Sequence, residues 1–152
     1  MAGVERFEDL IAWQRMHALS IEVWKATAHG SPLKDFKFRD QIRDASDSAA
    51  RNVAEGFGRF NPTEFARFLD FSRASAQETK ALLRKGLDVH YWGKDEFDRL
   101  DALADRGLQA VARFQRYLRS PAAERNAARR YRLKETNEND SNDPNDPNAI
   151  NS

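Results

Sequence analysis

The chain has 152 residues, no cysteine and a formal net charge of +1 from 25 basic and 24 acidic side chains. That length suits one domain able to bury a core without crosslinks, and the lack of thiols excludes disulfides, thiolate zinc sites, iron–sulfur clusters and cysteine nucleophiles. Met1 to Phe7 carries no basic segment leading into an apolar run, and no stretch approaches the roughly 20 apolar residues that span a bilayer, so a cytoplasmic protein without membrane contact is expected.

Apolar residues at three-and-four spacing predict four helices, with stops and caps between them. The first is expected over about Glu8 to Ala28, with Glu8 and Asp9 in the turn where the helix dipole favours acids and Trp13, Met16, Ser20, Val23, Trp24 and Thr27 on the core stripe. Gly30 then offers a left-handed stop and Pro32 bars continuation. The second helix, about Asp35 to Glu55, repeats Phe38, Ile42, Ala45, Ala49, Asn52 and Gly56, with Val53 alongside. Gly56 and Gly58 fit a stop, and Asn61-Pro62-Thr63-Glu64 reads as a capping box with proline at the first helical position. The third helix runs to about Tyr91 on Phe65, Phe68, Leu69, Ser72, Ala76, Thr79, Leu83 and Gly86. The fourth starts after Trp92-Gly93 and repeats Phe97, Leu100, Ala104, Gly107, Val111, Phe114 and Leu118 until Ser120-Pro121.

Short links favour antiparallel neighbours, so the expected fold class is all-α, an up-down-up-down four-helix bundle over residues 1–120. Residues 121–134 are expected to extend it as a weak, basic helix. Residues 135–152 form an acidic Asn/Asp/Pro tail with almost nothing to bury, expected to be disordered. Surplus apolar stripes remain, Ile11, Ala18 and Ile21 on the first helix and Phe71, Leu82 and Val89 on the third. Doubled apolar faces point to self-association, with Ile11, Ile21, Phe71, Leu82 and Val89 as the interface residues.

A carboxylate-bridged di-metal centre in a bundle needs Glu-x-x-His on facing helices, but Gln14, Ala26 and Leu87 stand three before His17, His29 and His90. No two histidines lie four apart, as a zinc pair on one helix requires, so no metal and no cofactor is expected. His90 falls near the third helix's stripe and is expected as a hydrogen-bonded core histidine. Phosphate-cradling glycine loops and a Gly-x-Ser-x-Gly elbow are absent. Asp40, Asp44 and Asp47 alternate with Arg39, Arg43 and Arg51, the pattern of a salt-bridged exposed face.

The basic residues are arranged more suggestively. Arg99, Arg106 and Arg113 recur every seven residues along the fourth helix, and Arg125, Arg129, Arg130, Arg132 and Lys134 follow, with Tyr131 available for stacking. Such residues contact phosphates by charge, without sequence preference. Asp95 is placed to pair with Arg99 at i, i+4.

Phe7-Glu8-Asp9-Leu10-x-x-Trp13-Gln14, Gln41-Ile42-Arg43-Asp44-Ala45, Asn52-Val53-Ala54-Glu55-Gly56 and Glu64-Phe65-x-x-Phe68-Leu69, in this order, resemble the four-helix-bundle family of 23S rRNA intervening-sequence proteins. That family is related to the accessory variability determinants of diversity-generating retroelements. The resemblance covers about Phe7 to Leu118, and the Asn-x-Ala-Glu-Gly segment after Gln-Ile-Arg is its most specific part. It implies a homopentameric ring of antiparallel bundles without catalysis, encoded in some bacteria inside an insertion of the large ribosomal RNA gene. In the retroelement relatives a basic ring surface binds nucleic acid and a reverse transcriptase. Two departures stand out: Arg43-Asp44 replaces the usual Arg-Arg, removing a positive charge from the second helix, and Ala74-Ser75 replaces the common Gly-Ser.

The motif residues Gln41, Ile42, Arg43, Asn52, Ala54, Glu55 and Gly56 read as architecture. Asn52 is expected to make a buried inter-helix hydrogen bond, Glu55 to pair with Arg51, and Gly56 to end the helix. The expected protein is a non-enzymatic homo-oligomer that binds RNA or a nucleic-acid-handling protein. The alternative is a structural or protein-interaction module with no affinity for nucleic acid.

Overall fold

The computed structural model describes residues 4–59 and 61–129 and holds most of them in helices, with no strand among the described residues. A 3-10 turn at Phe7–Asp9 precedes α1 (Ile11–Ala26), a short α2 (Gly30–Lys34), and the long helices α3 (Phe36–Phe57), α4 (Pro62–Asp88) and α5 (Lys94–Leu118). Residues 121–129 are also helical. The basic residues Arg130, Arg132 and Lys134, Tyr131, and the expected tail 135–152 lie outside the described residues.

The inter-helix bonds give the topology. Ser20 and Trp24 of α1 reach Asp47 of α3, while Arg43 of α3 reaches Thr27, so the two helices run in opposite directions. Gln41 meets Glu78, Ser48 meets Ser75 and Ser72 donates to the Ala49 carbonyl, which makes α3 and α4 antiparallel. Gln115 bonds Ala66 and Asp70, and Lys80 pairs with Asp101 and Asp105, which makes α4 and α5 antiparallel. With α5 also packed against α1, the four long helices form a square in chain order, and α1 stands diagonally across from α4. The topology is the expected up-down-up-down bundle.

The core lies in two clusters along the bundle axis. One gathers Met16, Ala49, Val53, Phe65, Leu69 and Val111; the other gathers Leu19, Phe38, Ile42, Leu83, Trp92 and Leu100 near α2. Small residues set the spacing. A Cβ on Gly86 would lie 2.1 Å from Cζ2 of Trp92, and one on Gly56 would lie 2.4 Å from the Phe65 ring. Gly56 therefore does not end α3, as expected from sequence, but gives the Phe65 ring its seat; the helix continues to Phe57. The Trp92 indole, sealed over Gly86, donates to the Leu83 carbonyl at 3.0 Å.

Several local expectations need correction. Glu8 and Asp9 belong to the 3-10 turn and not to α1. The buried stripe of α1 comprises Ala12, Met16, Leu19, Ser20, Val23 and Ala26, rotated from the expected one. Trp24 consequently lies at the edge, 44% exposed, with Arg43 stacked 4.1 Å above its ring and Asp47 accepting its indole proton. Trp13 is half-buried and stacks on His17. Pro32 does not stop the chain, because Gly30, at φ 65°, turns it into α2 and proline is tolerated in a helix's first turn.

His90 is exposed and not a core histidine. It occupies the left-handed position after α4, at φ 61°. The Tyr91 amide reaches the Gly86 carbonyl and the His90 amide reaches that of Leu87, the paired bonds of a Schellman stop with histidine where glycine is usual. Asn61 caps α4, its Oδ1 accepting from the Thr63 amide at 2.8 Å and not from that of Glu64 as the expected capping box would have it.

Candidate nucleic-acid and self-association surfaces

The arginine row of α5 and the apolar stripe of α1 fall on the same side of the bundle. Arg99 and Arg106 line a groove with Ala18, Ile21 and Leu103. Arg106 and Arg113 line a second groove with Ile11, Arg15 and Ala110. Ile11 is 64% exposed and Ile21 42%. Candidate residues assigned from sequence to two different roles thus share one α1/α5 face.

Along that row the charges differ in their surroundings. Arg99 does not pair with Asp95; it binds Glu96 on its own helix and Glu22 of α1, at 3.0 and 2.8 Å. These carboxylates raise its pKa, with Glu96 the larger influence, and Arg99 in turn holds Glu22 below the usual carboxylate range together with Lys25. Arg106 and Arg113 have no hydrogen bond or ion pair among the described residues, and the same holds for Arg15, Arg116, Arg125 and Arg129. Arg119, between them, is tied to Asp70.

Arg113, Arg116, Arg125 and Arg129 collect at the pole where α5 ends. The helical stretch 121–129 is anchored there by Ala123, 3% exposed, and by a bond from the Asn126 amide to the Tyr117 hydroxyl. Glu124 is the one acid in that stretch. Arg116 escaped the sequence reading because it is off the seven-residue rhythm; its place one turn from Arg113 was the available signal.

Phe71 on α4 and Val89, the residue that caps its C-terminus, are 44% and 43% exposed, in keeping with a surface position. Leu82 is not on that surface. It is 9% exposed and packs into the cluster with Leu83 and Trp92, because it faces inward beside α3. Phe71 packs edge-on against Phe68 and under Arg67, and Phe68 carries Arg59 over its ring.

The family-motif residues are taken up by packing and polar bonds of the bundle. Ile42 is fully buried. Arg43 donates to the Thr27 hydroxyl and carbonyl, so its charge is held at the α1/α3 joint. Asn52 turns its amide back to Ser48 of its own helix and makes no inter-helix bond; Ser48 and Ser72 supply those links, since their short hydroxyls reach across where α3 and α4 approach closely. Glu55 pairs with Arg59, while Arg51 leans toward Asp44 at 3.7 Å. Ala54 is half-buried. The alternating acids and arginines of α3 are thus only partly a salt-bridged surface: Asp47 serves Ser20 and Trp24.

No group of three or more His, Asp or Glu side chains is placed to hold a metal among the described residues. Ser31 and Lys34 stand at Ser-x-x-Lys spacing in α2, but both are exposed and no bond joins them. No helix among the described residues is long and apolar enough to cross a membrane.

A family model described as 23S rRNA-intervening sequence protein matches residues 8–112. Among solved structures, a protein of unknown function from the S23 ribosomal protein family of Bacteroides thetaiotaomicron VPI-5482 superposes with a TM-score of 0.59 at 13% identity, covering 72% of this chain and 100% of that one. At that identity the likeness concerns the fold. No curated protein matches. Neither description names a catalytic activity.

Proposed function

The chain belongs to the 23S rRNA-intervening sequence protein family, and from that premise we propose that it is a non-catalytic protein that assembles with copies of itself and binds RNA through a basic pole. The observation that carries this reading is the fate of the α5 arginines. Arg99 is spent on Glu22 and Glu96, while Arg113, Arg116, Arg125 and Arg129 meet no carboxylate among the described residues and gather at one end of the bundle. Guanidinium groups without partners among the described residues suit phosphate, which they bind bidentately. Side-by-side assembly of copies, in the homopentameric ring expected from the family resemblance, brings the same pole of each copy to one rim and adds their fields.

The test is binding of a short fluorescein-labelled single-stranded RNA to the full chain across a salt series, with light scattering on the same samples. The expected assembly has a mass five times 17.4 kDa, about 87 kDa. Affinity should fall log-linearly with salt, by about 0.7 in slope for each phosphate neutralised. No binding at low salt ends the RNA reading. It then leaves the second reading, a protein-interaction module, which the exposed Ile11 and Phe71 favour.

A further inference from the structure

We infer that the basic pole at the end of α5 is a docking surface for the chain's own acidic segment, residues 135–152, and that RNA binds there by displacing it. The inference rests on the RNA reading above for the competing ligand, while the docking itself needs no RNA.

Charge is what the segment offers a partner. It carries Glu135, Glu138, Asp140, Asp143 and Asp146 and no basic residue, Pro144 and Pro147 interrupt it, and Ala149 and Ile150 are its only aliphatic side chains. A sequence of this kind has too little to bury for a core of its own, so its attraction to a surface is electrostatic. Arg130, Arg132 and Lys134, just before it, do not exhaust that charge, three bases standing against five acids.

The pole supplies the complement. Arg113 and Arg116 are exposed one turn apart on α5, Arg125 and Arg129 one turn apart on the helical stretch that follows, and none pairs with a carboxylate among the described residues. Several carboxylates that share this end are already held by other arginines, Glu8 by Arg6, Glu55 by Arg59 and Asp70 by Arg119. The largest run of acids without an intervening base in the whole chain begins six residues after Arg129.

That short separation makes a weak contact count. Ala123 and the bond from Asn126 to Tyr117 pin residues 121–129 against the end of α5, so the described chain ends among the arginines. Six residues reach at most about 20 Å. Exposed ion pairs are individually weak, but so short a tether holds the acids near the pole at an effective concentration on the order of millimolar. Carboxylates and phosphates then compete for the same guanidinium groups. A pole covered about nine-tenths of the time weakens RNA binding about tenfold. Salt screens the intramolecular contact as well, so the loss fades as salt rises.

Two measurements on the full chain test this, against a variant with all five acids neutralised (Glu135→Gln, Glu138→Gln, Asp140→Asn, Asp143→Asn and Asp146→Asn). The first uses no RNA: phenylglyoxal modifies accessible arginines, and mass spectrometry reads the rate at each. At low salt Arg113, Arg116, Arg125 and Arg129 should react severalfold faster in the variant than in the wild type, with Arg84, beside Asp88 at the far pole, unchanged. Raising salt to about 0.5 M should erase the difference by screening. Equal rates in the two proteins at low salt overturn the inference. So does wild-type protection that fades on dilution, since a contact between separate molecules depends on concentration and a tethered one does not. The second measures binding of the fluorescein-labelled single-stranded RNA, which should be about tenfold tighter to the variant at low salt and should converge with the wild type as salt rises. Unchanged affinity overturns the displacement, and a gain in affinity with unchanged arginine rates reflects general repulsion and overturns the docking. Where neither protein binds RNA, the RNA reading fails, and the arginine rates alone decide whether the segment docks.

Discussion

The two poles of the bundle use the same residue types for different ends. Near α2, Tyr91 donates to Asp35 at 2.5 Å, and Phe38 packs against both Tyr91 and Trp92. Asp35 also caps α3, and these two hydrogen bonds, the one from Tyr91 foremost, hold its pKa below the usual range. Arg99 is enclosed by two carboxylates there. At the opposite pole the arginines of α5 and of residues 121–129 face solvent, and the polar bonds that anchor the segment are made by neutral Asn126 and Tyr117. Arg99 is thus committed to the fold at one pole, while Arg113, Arg116, Arg125 and Arg129 make no ion pair among the described residues at the other. An arginine's position in a repeat does not disclose which it will be.

Three experiments sharpen that contrast. The largest effect is expected from Gly86→Ala, which drives a methyl group into the Trp92 indole. Overpacking at a rigid ring costs about 3 kcal/mol, to be read from the urea midpoint, and RNA affinity per folded molecule should not change. Next comes the paired charge reversal Arg113→Glu and Arg125→Glu, set beside Arg99→Glu. The first should reduce RNA affinity at least tenfold at low salt without lowering the melting temperature, while Arg99→Glu should leave affinity within about twofold. Equal losses from the two would erase the distinction between the poles. The smallest effect is expected at the α4 stop, where His90 holds a left-handed conformation. His90→Gly should stabilise the fold by roughly 0.5–1 kcal/mol, since glycine adopts that conformation without steric cost, measurable as a shift in denaturant midpoint.

The helices were legible in the sequence because their signals are local. The cap at Asn61, and the heptads through Ile42, Leu69, Leu83 and Leu100, need only three-and-four spacing and a side chain that accepts an amide. The side-chain partners were not, because they depend on which helix stands beside which. Arg99 reaches Glu22, far away in sequence, in preference to Asp95. Leu82 and Phe71 look alike on a helical projection, yet only Leu82 faces the closed side of the square. Asn52 did not make the expected inter-helix bond: its amide turns back to the Ser48 carbonyl, while the Ser48 and Ser75 hydroxyls bridge α3 and α4 at 2.9 Å. That Ile21 and Arg106 border the same groove could not be foreseen either, since it requires α1 and α5 to close the square.

The indoles are distributed so that each end of the molecule has its own optical reporter. Trp92 is sealed over Gly86 in the cluster near α2, whereas Trp13 lies toward the other end between Phe7 and His17. With Trp24 and either of the other two replaced by phenylalanine, intrinsic emission would follow one end at a time. Coincident unfolding curves from the two single-tryptophan proteins would mean that the core's two clusters melt as one cooperative unit.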